Sequence, residues 1–192
     1  MPSATHTFRV VFLVPDADSL EPYLDALHAA GCDDAAFMGP ASDGSFAAEF
    51  DRDAPTFSAA VVSALEAIRS ALPSVRLLRV LPDDLVTVAA IAARTGRSDE
   101  SVRLLGQGRR GPGGFPPAAG WINEKTQVWR WVDVARWFSD ALDEPPAGAE
   151  HAAFLAAMND ALDLAARAVD LRGRPDELAA VLRFLPKDLA AA

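Results

Sequence analysis

The chain has 192 residues, 51% of them apolar and 23% charged, so it can bury a core in one or two domains and is neither disordered nor fibrous. Its net charge is −9, and its 16 Arg against 2 Lys, with 39 Ala, reflects a GC-rich coding bias rather than nucleic-acid chemistry. One cysteine, Cys32, and three scattered histidines, His6, His28 and His151, exclude a disulfide framework and a sequence-local metal cluster, so no cofactor is expected.

Residues 1–82 alternate strand and helix signals. Phe8 to Val14 is a Val/Phe-rich strand bounded by Pro15 and a turn cluster at 16–19. Leu20, Tyr23, Leu24 and Leu27 follow helical spacing, with Gly31 where a C-terminal cap belongs. Ala35 to Met38 is a short strand, and Phe46, Ala48 and Phe50 alternate with Glu49 and Asp51 as a half-exposed strand does. Val61, Val62, Leu65, Ile68 and Leu72 mark a helix stopped by Pro73, and Val75 to Leu81 is the last strand. The order β-α-β-β-α-β is that of a ferredoxin-like domain within an α+β protein. Asp33 and Asp34 read as a solvated turn and Cys32 as a small core residue; nothing here argues for catalysis.

Charge is uneven along the chain. Residues 1–84 carry a net −8, residues 85–138 a net +4, and residues 139–192 a net −5. The basic middle, within a second domain at 83–142, carries the functional signal. Thr87 is an N-cap for a short helix ending near Arg94, and Ser98 caps a second running to about Gln107. Gly96 lies in the three- to four-residue turn between them, while Ile91, Val102 and Leu105 supply the contacts of a helix-turn-helix. Residues 106–117 form a Gly/Pro loop with Arg109 and Arg110, whose backbone can approach a partner closely. Gly106, Gly108 and Gly111 match a dinucleotide fingerprint by spacing, but they follow a helix rather than a strand, and Pro112 stands where a helix should begin.

Trp121-Ile122 and Val128 to Val132, flanking residues 123–127, read as a hairpin, with Trp129 and Trp131 on one strand face and Arg130 on the other. Val134 to Phe138 begins a closing helix. All four tryptophans fall between 121 and 137; a cluster of this kind can stack unpaired bases, but packing beneath a small hairpin is the favoured reading.

Thr87, Ile91-Ala92, Thr95-Gly96, Ser98, Val102-Arg103, Trp129-Arg130-Trp131, Val134 and Trp137 together resemble the winged helix-turn-helix domains of the MerR and excisionase superfamily. The Arg-Gly-Pro-Gly-Gly-Phe-Pro segment at 110–116 is similar to one in small actinobacterial DNA-binding proteins. The resemblance implies a transcriptional regulator or architectural accessory factor that binds double-stranded DNA, with its second helix in the major groove. It implies that Ser98, Ser101 and Arg103 reach phosphates or base edges. Arg97, Arg109, Arg110, Lys125 and Arg130 would then neutralise phosphates. Asp99 and Glu100, in the first turn of that helix, favour its dipole but repel phosphates. They support the alternative of a protein–protein interaction module that no longer binds DNA.

Residues 143–192 comprise a linker and a helical tail, whose apolar face runs through Phe154, Leu155, Met158, Leu162 and Ala165 and, past a break at Gly173 and Pro175, continues in Leu178, Leu182 and Leu185. That face can dock on the N-terminal sheet or pair with a second copy; helix-turn-helix proteins usually bind DNA as dimers, so it is the expected homodimer surface. No P-loop, nucleophile elbow or paired-carboxylate arrangement appears, so no enzyme is expected. No run reaches the roughly 18–20 apolar residues of a membrane helix. Met1 to Phe8 lacks the basic flank and apolar run of a secretion signal, which makes a cytoplasmic location the expectation.

Overall fold

Phe8, Val10 and Phe12 are buried and alternate with partly exposed neighbours, the period of two that lays one strand face on a core. In the computed structural model, which describes residues 3–183, they lie on β1 (Ala4–Leu13). The chain continues through a 3-10 turn (Glu21–Tyr23), α1 (Leu24–Ala29), β2 (Ala35–Met38), β3 (Phe46–Ala54), α2 (Phe57–Ala71) and β4 (Arg76–Leu81). Pro22 enters the expected first helix within its first turn, and that helix begins regular α geometry only at Leu24. The four strands form one antiparallel sheet in the order β2-β3-β1-β4, with Phe8 opposite Phe50, Phe12 opposite Phe46 and Val10 opposite Val80. β1 and β3 extend beyond their apolar runs because Thr5 and Thr7 donate hydrogen bonds to Asp53 and Asp51 across the register, at 2.5 and 2.6 Å.

The Thr56 hydroxyl starts α2 by accepting the Ala59 N–H at 3.1 Å. Val61, Ala64, Leu65 and Ile68 then bury one helical face on the sheet. Asp33 is the exposed turn residue expected, whereas Asp34, in the same turn, is half-buried. The Asp34 carboxylate takes two hydrogen bonds, at 2.7 and 2.8 Å, from the buried Arg52, whose guanidinium also donates to Ser63 and Gly31 and lies over the Phe50 ring. The hydrogen bond to Asp34 pushes the Arg52 pKa further up, so its charge is fixed. Cys32 is fully buried beside this pair.

After Pro82 come β5 (Leu85–Val86), α3 (Val88–Thr95), α4 (Asp99–Gly106), β6 (Gly120–Ile122), β7 (Thr126–Arg130) and α5 (Trp131–Leu142). The three strands make a second antiparallel sheet, β5-β7-β6. A second core joins Val86, Ile91, Val102, Leu105, Trp129, Trp131, Val134 and Phe138. Trp131 is not a strand residue. Its N–H is taken by the Asp84 carbonyl at 2.6 Å and the Val132 N–H by the Asp84 carboxylate at 3.0 Å, which turns the chain from β7 into α5. Trp121 also departs from the expected packing: it is 61% exposed, whereas Trp129 and Trp131 are buried and Trp137 half-buried.

The last described elements are α6 (Ala149–Asp170) and α7 (Pro175–Leu182). Leu155 and Leu162 of α6 belong to the core of the first sheet, with Phe154 and Met158 packed beside them, and Ala152 belongs to the second core. The α6 part of the face expected to meet a second copy, apart from the exposed Ala165, therefore packs within the chain and ties the two cores together; Leu178 and Leu182 of α7 belong to neither core, and Leu185 lies outside the described residues. Among the described residues no helix is long and apolar enough to cross a membrane.

Candidate nucleic-acid interface

Two short helices hold the site. α3 starts at Thr87, whose hydroxyl accepts the Ala90 N–H at 3.3 Å, and ends at Gly96, which takes the left-handed conformation (φ 65°). α4 starts at Ser98, whose hydroxyl accepts the Ser101 N–H at 3.2 Å. Each such cap is worth about 1 kcal/mol, which matters for helices of eight residues. Ile91, Val102 and Leu105 lock the pair over the buried tryptophans.

A groove of about 540 Å³ separates α4 from the hairpin formed by β6 and β7. Asp99, Val102, Arg103, Gly106 and Gln107 line one wall, at the i, i+3, i+4 spacing of one helix face. Lys125, Thr126, Gln127 and Trp129 of the hairpin also line the groove, together with Thr87 to Ala89 at the N-terminus of α3. Arg103 reaches Asp99 and Glu100 only loosely, at 3.7 Å each. Exposed pairs within one helix contribute about 0.3–0.5 kcal/mol, so Arg103 is readily drawn to a stronger anion.

Two of the eight residues expected to meet DNA, Arg103 and Lys125, line this groove, and the exposed Arg109 and Arg110 follow the C-terminus of α4 in the chain. Among the described residues neither Arg109 nor Arg110 takes part in an ion pair. The other four serve the fold. Ser98 is a helix cap, and Ser101 is buried between the two helices. Arg97 pairs with Glu144 and lies 5.4 Å over the Phe138 ring. Arg130 is held by the buried Asp84 at 3.0 Å and by Asp160 of α6 at 3.1 Å. The hydrogen bond from Arg130 to Asp84 pushes the Arg130 pKa further up and commits its charge to that carboxylate.

Thr87, Gln107, Thr126 and Gln127 also line the groove, although the sequence reading did not single them out as contacts. Gln127 shares a strand face with Trp129, so the hairpin pattern alone carried that signal; Gln107 had none beyond its spacing from Arg103.

The Gly/Pro loop folds onto its own module. The Trp137 indole N–H donates to the Gly113 carbonyl at 3.0 Å, and the Trp129 indole N–H to the Pro116 carbonyl at 3.2 Å. Phe115 sits edge-on to both rings. These anchors hold the loop against the module while Arg109 and Arg110 remain exposed. No protein-family model, curated protein or solved structure matches the chain.

Proposed function

We propose that the chain binds double-stranded DNA through the groove between α4 and the β6–β7 hairpin, as a transcriptional regulator or architectural accessory factor. In this reading residues 83–142 are a winged helix-turn-helix, with α4 entering the major groove and the hairpin as the wing. The all-antiparallel order β2-β3-β1-β4, with α1 and α2 as the connections, supports a ferredoxin-like N-terminal unit. α6, which packs on both cores, joins that unit to the module.

The groove wall carries the proposal. It presents Arg103 and Lys125 for phosphates or guanine, and two amides, Gln107 and Gln127, that can meet adenine through paired hydrogen bonds. The N-terminus of α3, which also lines the groove, adds partial positive charge. A second copy, where the DNA site is palindromic, must use a surface other than the apolar face of α6.

Selection of duplexes from a random pool tests the reading. Enrichment of a motif, with Gln107→Ala relaxing preference at one of its positions, supports it. Failure to enrich any duplex at low salt contradicts it.

A further inference from the structure

The two edges of the first sheet differ. Asn159 covers β4 by bonding both backbone groups of Val80, whereas β2 carries no charged side chain, proline or bulge and has no strand beyond it. The Asp51 N–H donates to the Asp34 carbonyl, which fixes the alternation of the ladder. Ala36 and Met38 therefore turn their backbone groups towards β3, and Phe37 turns its N–H and carbonyl outward. Among the described residues no turn or loop group takes either of them. Beside this edge lies a groove of about 300 Å³ lined by Leu20, Leu24, Phe37 and Met38, with Glu21 at its border. Met38 is 40% exposed.

Charge selects the occupant. Residues 10–51 contain nine Asp and Glu, no Lys or Arg, and one histidine, His28. Asp34 and Glu49 are held by Arg52 and Arg9. Glu21, Asp25 beside Leu24, and Asp33 just before β2 are exposed, and among the described residues none of the three takes part in an ion pair. A second copy paired along this edge would set these carboxylates against their own images, and a nucleic acid would be repelled in the same way. We propose that β2 takes up an extended, basic segment of a partner protein as a fifth strand. The segment's backbone pairs with Phe37, its apolar side chains enter the groove against Leu20 and Leu24, and its flanking lysines or arginines meet Glu21, Asp25 and Asp33. This surface belongs to the N-terminal sheet and does not depend on the DNA-binding reading.

The test uses the full chain and a labelled, end-blocked peptide with two lysines on each side of Val-Thr-Val-Thr. Fluorescence anisotropy should show saturable binding, weaker by about ten-fold when glutamates replace the lysines. Methylating either the valine or the threonine backbone nitrogens should abolish binding in one case and spare it in the other, the signature of one paired strand edge. Glu21→Lys with Asp25→Lys should weaken binding of the lysine peptide by about ten-fold. Both residues are exposed, so the cores stay intact. Hydrogen exchange at the Phe37 amide should slow in the saturated complex. If the lysine and glutamate peptides bind alike, if Phe37 exchange is unchanged in the complex, or if no peptide binds, the proposal is overturned. If Phe37 exchange slows with rising protein concentration alone, a second copy occupies the edge and the proposal is again overturned.

Discussion

Asn159 of α6 completes the hydrogen bonding of Val80 on the edge strand β4: its side-chain oxygen accepts the Val80 N–H at 2.7 Å, and its side-chain nitrogen donates to the Val80 carbonyl at 3.0 Å. One amide side chain thus replaces the residue a fifth strand would have supplied, and seals that edge against pairing with another chain. The Asn159→Leu variant strands both groups of Val80 in a buried setting. At about 1–3 kcal/mol for each unpaired group, it should lose about 3 kcal/mol in urea unfolding, with faster hydrogen exchange at Val80.

Arg130 and Asp84 make a separable prediction. Removing the Arg130 side chain leaves the Asp84 carboxylate buried without its cation, so Arg130→Ala should cost about 2 kcal/mol, discounted because Arg130 is partly solvated. Its DNA salt slope should match the wild type. A phosphate contact at Arg130 would instead lower that slope by about 0.9.

Two glycines separate backbone strain from packing. Gly111 has φ 76°, and a Cβ there would lie 2.9 Å from Cδ2 of the buried Leu105, so Gly111→Ala should cost about 2 kcal/mol and loosen the arginine loop. Gly96 has φ 65° with nothing within 4 Å of that position, so Gly96→Ala should cost only about 1 kcal/mol. Thermal unfolding of the two variants should show that order.

Burial pushes the Cys32 thiol pKa up, against the weaker opposing pull of Arg52. The native thiol should resist iodoacetamide and react only as the chain unfolds. In the unfolded chain the thiol ionises at its ordinary value, below the native one. The stability that Cys32 contributes is therefore complete below that value and declines as pH rises through the interval between the two. The stability difference from Cys32→Ala should shrink over that interval.

Local signals in the sequence foretold much of this architecture. The alternation of Phe8, Val10 and Phe12, the caps at Thr87 and Ser98, and the left-handed turn at Gly96 each depend on neighbours a few residues away. The pairing of Val80 with Asn159 and of Asp84 with the start of α5 spans 79 and 48 residues, where spacing rules carry no information. The pairing of the turn residue Asp34 with Arg52 was hidden for the same reason, because Arg52 lies on β3, 18 residues away. At the candidate site, Arg103 and Lys125 were legible as charges near a helix-turn-helix pattern. That Arg97 and Arg130 are consumed by Glu144 and by Asp84 with Asp160 was not, since an arginine's charge reads the same whether or not a carboxylate holds it. Trp121 lies on the edge strand β6 opposite the exposed Gln127, and so stays outside the core.

Fluorescence anisotropy of the full chain with a random duplex pool, across a range of salt concentrations, tests the DNA-binding claim most directly. The expected result is a linear fall of log affinity with log salt, and a slope lowered by about 0.9 for each phosphate-contacting charge removed in Lys125→Ala or in the Arg109→Ala, Arg110→Ala double variant. No binding at low salt, or a slope that none of these substitutions changes, would contradict the assignment of this groove to DNA.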